Sequence, residues 1–353
     1  MLSGHVYFSK PLLALTIIGF LSACGGSDSE ATAATGTAPV TSPVTGTGTG
    51  TVILRAPVLS FNDTGISVTD GVTQNGLWAV DSAGIDWEFS LDMGGTWSRG
   101  VGSTFEVKGD GAKMIWVRAY DEAGNTSEVV RVNCVLDTTP PASVGAQART
   151  EGVTNTLQLS GIEPGARWEY AIDPQGAWMP GRGASLGALG NGLATVWLRQ
   201  VDMAGNASAP EAFDLIKPDG LIHEASGDPL KPSFLAQGLQ TMLVHGVVVR
   251  SDADYVRWDI PKGQQLLSVK LVQYVSEDAI AFYALQRSQV FDAGIDVSRM
   301  LVYGHMGPSD LGRNALANVP KTELGEGAMT LWFQQTGPLP TQYAIEVVLA
   351  PAN

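Results

Sequence analysis

Only two cysteines, Cys24 and Cys134, occur in these 353 residues. Two thiols cannot build the multi-bridge framework of a small secreted scaffold, so stability must come from packed cores. Basic side chains are scarce as well: 21 Lys and Arg stand against 35 Asp and Glu, for a formal net charge of −14. That balance provides no basic stripe to follow phosphates and argues against a nucleic-acid partner. Histidines number four, and none stands in the HExxH spacing that gathers zinc on a helix. The stretch YGHMGPSDLG contains His305, Ser309 and Asp310. It lacks the GxSxG elbow of a serine hydrolase and reads as a polar turn. No DxDxDG calcium loop is written either. Paired carboxylates of glycosidase type stay open, because sequence alone does not bring two acids together.

Glycine (42) and proline (19) are plentiful, and 44% of the chain is hydrophobic while only 16% is charged. Such a composition favours many short strands joined by tight turns. The N-terminal run PLLALTIIGF is too short to cross a bilayer and has the size of a signal-peptide core. It ends in Leu21-Ser22-Ala23-Cys24. This resembles a bacterial lipobox, which implies cleavage after residue 23 and acylation of Cys24. Acyl chains hold a protein to a membrane because each buried CH₂ contributes about 0.8 kcal/mol. Gly25 follows the cysteine, and the resemblance then implies the outer membrane of a bacterial envelope. Residues 24–51 are low in complexity and without apolar periodicity, as expected for a flexible tether. About 27 such residues have an r.m.s. span of about 25–30 Å.

A phrase then recurs. WVRAYDEAGNTS begins at Trp116 and WLRQVDMAGNAS at Trp197. Trp87 and Trp168, Trp97 and Trp178, Gly100 and Gly181, Arg118 and Arg199, and Asn125 and Asn206 keep the same separation. Gly71 and Gly152, each opening a GVT, keep it too. A constant offset over this length marks a duplicated domain. In MIWVRAY, Trp116, Arg118 and Tyr120 alternate with Ile115, Val117 and Ala119, as in a strand. DEAGN is a turn signal, and SLDMGGTW and AIDPQGAW read as hairpins. In VVRVNCVLD, Cys134 shares an apolar strand face with Val130, Val132 and Leu136, so its thiol is expected in the core. Trp87, Trp168, Trp116 and Trp197 are the expected core aromatics.

With DTG…DGVT near its start, WE[FY]S.D.G..W in the middle and VR..D.AGN.S near its end, the duplicated section (about residues 52–219) resembles the Ig-like repeats of bacterial surface adhesins. The second copy lacks DTG and carries Glu151 where the first has Asp70. Further on, SDADYVRWDIPKGQQLLSVKL and QQTGPLPTQYAIEVVL resemble the pre-peptidase C-terminal, jelly-roll type of sandwich. The expected class is therefore all-β. Three β-sandwich domains follow the tether: residues 52–138, 139–219 and 220–353.

The function that follows is non-enzymatic: adhesion, surface interaction or envelope scaffolding, with a glycan-binding accessory module and a cryptic hydrolase as alternatives. Membrane, surface proteins and polysaccharide are the expected partners. No cofactor is required, and Ca²⁺ is the one candidate. Acidic residues at the ends of such repeats can supply its oxygen ligands, which singles out Asp63, Asp70, Asp137, Asp252 and Asp254. Trp97 and Trp178, just past hairpin turns, are the candidates for stacking on a sugar.

Overall fold

The computed structural model describes residues 53–215 and 223–352, and strands are nearly all of their regular secondary structure. The expected leader, Cys24 and the tether through residue 51 lie outside them. Two compact units part after Asp137.

The first unit has eight strands: β1 (Val58–Phe61), β2 (Val72–Thr73), β3 (Leu77–Asp81), β4 (Trp87–Ser90), β5 (Ser98–Arg99), β6 (Thr104–Glu106), β7 (Gly111–Ala119) and β8 (Val130–Leu136). They form a sheet β1-β3-β6 and a sheet β2-β8-β7-β4-β5. Between the sheets lie Trp78, Val80, Trp87, Ile115, Val117 and Cys134. Trp78 stacks on Phe61 with ring centroids 4.3 Å apart, and Phe89 stacks on Phe105 at 4.5 Å. Removing such rings from water supplies much of the driving force in a small sandwich without disulfides. Cys134 is buried in this core, as its strand pattern predicts. Trp116 and Trp197 are not core residues. Both are half-buried on outer faces, while their neighbours Ile115, Val117, Val196 and Leu198 are fully buried. The strand period puts Trp116 opposite those aliphatics; Trp78 fills the interior instead.

The second unit begins with the copy. Its strands are β9 (Gly145–Glu151), β10 (Thr154–Ser160), β11 (Arg167–Ala171), β12 (Met179–Pro180), β13 (Ser185–Gly190), β14 (Thr195–Val201) and β15 (Glu211–Asp214). From Trp87 onward the repeated residues keep several of the same bonds. Trp87 Nε1 donates to Gly102 O at 2.9 Å, and Trp168 Nε1 to Gly183 O at 2.8 Å. Asp121 accepts from Asn125 as Asp202 accepts from Asn206. The GVT pair is different. In the first copy Val72 and Thr73 form β2, which pairs in parallel with β8; in the second, Gly152 turns the β9–β10 hairpin. Val80 donates to Ser103 and Leu159 to Ala184. These equivalent strands thus stand two residues off the later offset. The shared spelling of GVT marks two different elements, and the missing DTG coincides with the missing β2.

The remaining strands are β16 (Ser233–Phe234), β17 (Thr241–Val248), β18 (Ala253–Ile260), β19 (Gln264–Val275), β20 (Ala281–Gln286), β21 (Val302–Met306), β22 (Gly327–Gln335) and β23 (Thr341–Pro351). They pack as a sandwich around a core of their own, but one of its sheets continues into the copy. β17 pairs in parallel with β13, from Leu186 opposite Thr241 to Gly190 opposite His245. One six-stranded sheet, β19-β23-β17-β13-β10-β9, thereby runs through the copy and the C-terminal part. The copy's half packs with the sheet β12-β11-β14-β15 around Trp168, Tyr170, Leu186 and Leu198. The other half packs with β16-β18-β22-β20-β21 around Trp258, Phe333, Tyr343 and Ile345.

Candidate functional site

Each copy builds the same three-residue stack on the outer face of a sheet. On β4 and β7, Glu88 sits directly opposite Arg118. Arg118 Nε donates to Glu88 Oε1 at 2.7 Å, and its guanidinium lies 3.9 Å from the centroid of Trp97. In the copy, Arg199 donates to Glu169 at 2.7 and 2.9 Å and lies 4.2 Å from the centroid of Trp178. A planar guanidinium stacks on an indole while its edge serves a carboxylate, which lysine cannot reproduce. Trp97 and Trp178 are both half-buried, and each has one face covered by arginine.

Trp178 also lines a groove of about 560 Å³. Opposite it stands β19, with Lys270, Val272, Gln273 and Tyr274, and Leu311 and Gly312 add a further wall. The groove lies wholly within the second unit, because the shared sheet brings β19 beside the copy. Lys270 is held 3.4 Å from Glu346, whose other carboxylate oxygen accepts from Tyr170 at 2.7 Å. Gln273 Oε1 is buried without a hydrogen-bond partner. Indole, ammonium and amide groups around an open trough suit a ligand with both C–H faces and hydroxyls. Trp178 was legible as a candidate; its partners on β19 were not. A bulge between Leu271 and Gln273 breaks the alternation of that strand, turning Tyr274 toward the core with Val269 and Leu271.

The acidic candidates stand apart from this groove. Asp63 is buried, its Oδ2 accepts from Gly71 N at 2.9 Å, and its Oδ1 has no partner. Burial raises its pKa, opposed by that hydrogen bond and helped by the charge of Asp70. Asp70 accepts from Val72 N at 3.0 Å, a local turn, and Asp137 donates its N–H to Thr73 O. Asp254 is buried and accepts from Tyr343 at 2.6 Å; Asp252, its neighbour, is half-buried. Among the described residues no group of three or more His, Cys, Asp or Glu is gathered to hold a metal ion. His305 and Asp310 line a hollow of about 250 Å³, but Asp310 is engaged by Gly307 N and Arg313 rather than by His305.

No protein-family model matches the chain, and no curated protein matches it. Among solved structures it is similar to one from a study of promiscuous specificity in carbohydrate-binding modules of the β-sandwich superfamily. The two are 9% identical with a TM-score of 0.21, over 85% of this chain and 94% of that one. It is also similar to one solved with a xylogluco-oligosaccharide, at 12% identity and a TM-score of 0.24, over 85% of this chain and 80% of that one. Likeness at this level carries no argument about a ligand.

Proposed function

We propose that the chain is a non-catalytic, lipid-anchored protein of the bacterial envelope that binds polysaccharide through the Trp178 groove. The observation that supports this reading is the groove itself, where a half-buried indole shares a space of about 560 Å³ with Lys270 and Gln273. The apolar face of a sugar stacks on an aromatic ring, while amide and ammonium groups serve its hydroxyls. Adhesion follows if the glycan belongs to a neighbouring cell or matrix. The Ig-like and pre-peptidase-type sandwiches are then the scaffold that presents the groove, Cys24 carries the acyl chains, and the outer membrane is the site of anchoring.

Affinity electrophoresis in gels containing neutral polysaccharides tests the binding reading. Retardation by at least one of xyloglucan, dextran or β-glucan is expected, with Trp178→Ala weakening it about tenfold. Trp97→Ala is the matched control in the other copy and leaves retention unchanged. Retention that survives Trp178→Ala overturns the proposal. Anchoring is tested separately by metabolic palmitate labelling, which Cys24→Ser abolishes.

A further inference from the structure

The first copy carries on its outer sheet face a group that its duplicate lacks. Trp116 and Arg118 project there from β7, opposite the buried Ile115, Val117 and Ala119, and Tyr120 follows at its end. Arg99 faces the same side through its pairing with Glu88, and Arg131 through its pairing with Trp116. Arg131 lies 4.6 Å from the ring centroid of Trp116, and Arg99 lies 5.3 Å from that of Tyr120. Arg118 completes the series over Trp97. Three guanidiniums thus rest on three aromatic rings, spread over four adjacent strands, β5, β4, β7 and β8.

Only one of the three is neutralised. Glu88 holds Arg118, while Arg99 and Arg131 are exposed and meet no carboxylate among the described residues. In a chain with a formal net charge of −14, two arginines on one face without an ion-pair partner stand out. The copy retains the neutralised part, Glu169, Arg199 and Trp178. At the other places it has Pro180 for Arg99, Val201 for Tyr120 and Ala212 for Arg131, in the same pairings, Glu169 with Pro180 and Trp197 with Ala212. Packing therefore does not demand the extra arginines: a sheet of the same design closes without them.

We propose that this face of the first unit binds an acidic polysaccharide, its carboxylates taken by Arg99 and Arg131. Stacking leaves a guanidinium's edge free and presets its plane, so that two N–H groups meet a carboxylate side by side. Strands lie about 4.8 Å apart, so the three spacings from β5 to β8 put Arg99 and Arg131 roughly 14 Å or more from one another. That spread suits an extended chain crossing the strands with charges at intervals, rather than a single small anion. The aromatic rings are occupied in holding the arginines, so charge, not ring stacking, selects the ligand. The site is separate from the Trp178 groove, and only the choice of a glycan over other polyanions rests on the envelope placement proposed above.

The test uses the full chain with Cys24→Ser, so that no acyl group competes, and immobilised polygalacturonate as the uronate polymer. Binding is expected that weakens with added salt and falls about tenfold for each of Arg99→Ala and Arg131→Ala. Both residues are exposed, so thermal midpoints stay unchanged. Arg99→Lys/Arg131→Lys keeps the charge and loses the fork; it recovers only a minor part of the affinity. Trp178→Ala leaves this binding intact while weakening the neutral-glycan retention, so the two proposals fail independently. Absence of binding, equal binding by the alanine double variant, or full recovery by the lysines overturns the inference. So does stronger capture by anionic phosphatidylglycerol vesicles or by DNA than by polygalacturonate.

Discussion

Gly100 and Gly181 show how a single absent side chain fixes a core. A Cβ at Gly100 would stand 2.2 Å from the Trp87 indole, and one at Gly181 would stand 2.2 Å from the Trp168 indole. Both glycines also donate to the backbone of the tryptophan they cover, so neither can withdraw. Gly100→Ala and Gly181→Ala are each expected to cost about 1–3 kcal/mol through overpacking, read as a lower urea midpoint at unchanged slope. A second residue-scale effect is the response to acid. Burial pushes His245 down to about 4 from the ordinary 6.5, against the raising effect of Asn191 O. The unfolded chain then binds the proton more readily, so this contribution is complete above pH 6.5 and lost as pH falls toward 4, amounting to about 3 kcal/mol. Asp254 opposes it. Burial pushes its carboxyl up to about 7, against the hydrogen bond from Tyr343 and with help from Asp252 and Glu224. Its contribution is complete below pH 3.8 and is lost as pH rises through 7. Asp254→Asn should therefore leave stability climbing steadily from pH 4 to 6.5 in urea titrations. His245→Gln should make it decline over the same interval.

Among the elements, the β13–β17 pairing decides the most. Gly190 lies at its end with φ +130°, and a Cβ there would stand 1.6 Å from His245 O. Gly190→Ala is expected to destabilise the second unit by about 3 kcal/mol or more, with hydrogen exchange accelerated first at Leu243 to His245. Much of the architecture was legible locally. Alternation in MIWVRAY foretold β7, DEAGN foretold its turn, and the recurring Trp, Gly and Asn positions foretold the duplicate. What escaped was non-local. A parallel pairing between strands separated by some fifty residues leaves no mark on either one, so nothing at Leu186 or Thr241 announces the shared sheet. The same applies to the site. Trp178 stands out as a repeated aromatic, but Lys270, Gln273 and Tyr274 join it only through that sheet and the bulge in β19. Arg131 over Trp116 needed the cross-strand register, which the sequence does not spell.

At the scale of the whole molecule, the division after Asp137 and the continuous sheet beyond it make distinct forecasts for truncated chains. Residues 53–137 contain both sheets of their own sandwich and are expected to fold alone, with near-UV dichroism from Trp78 and Trp87. Residues 138–219 lose β17 from beside β13, and fully buried Leu243 leaves the core around Trp168. That fragment is expected to lack a cooperative thermal transition, whereas residues 138–353 melt in one step by calorimetry. A native-like transition in the shorter fragment would refute the joined-sheet account. The joint also limits how such a chain can lengthen over generations. Recombination could insert or delete further copies ahead of Thr138 without opening a sheet, like beads added to a string. The last copy has no such freedom, since excising it would strip β13 from β17 and lay bare the flank of the terminal fold; growth is therefore open in one direction and closed in the other.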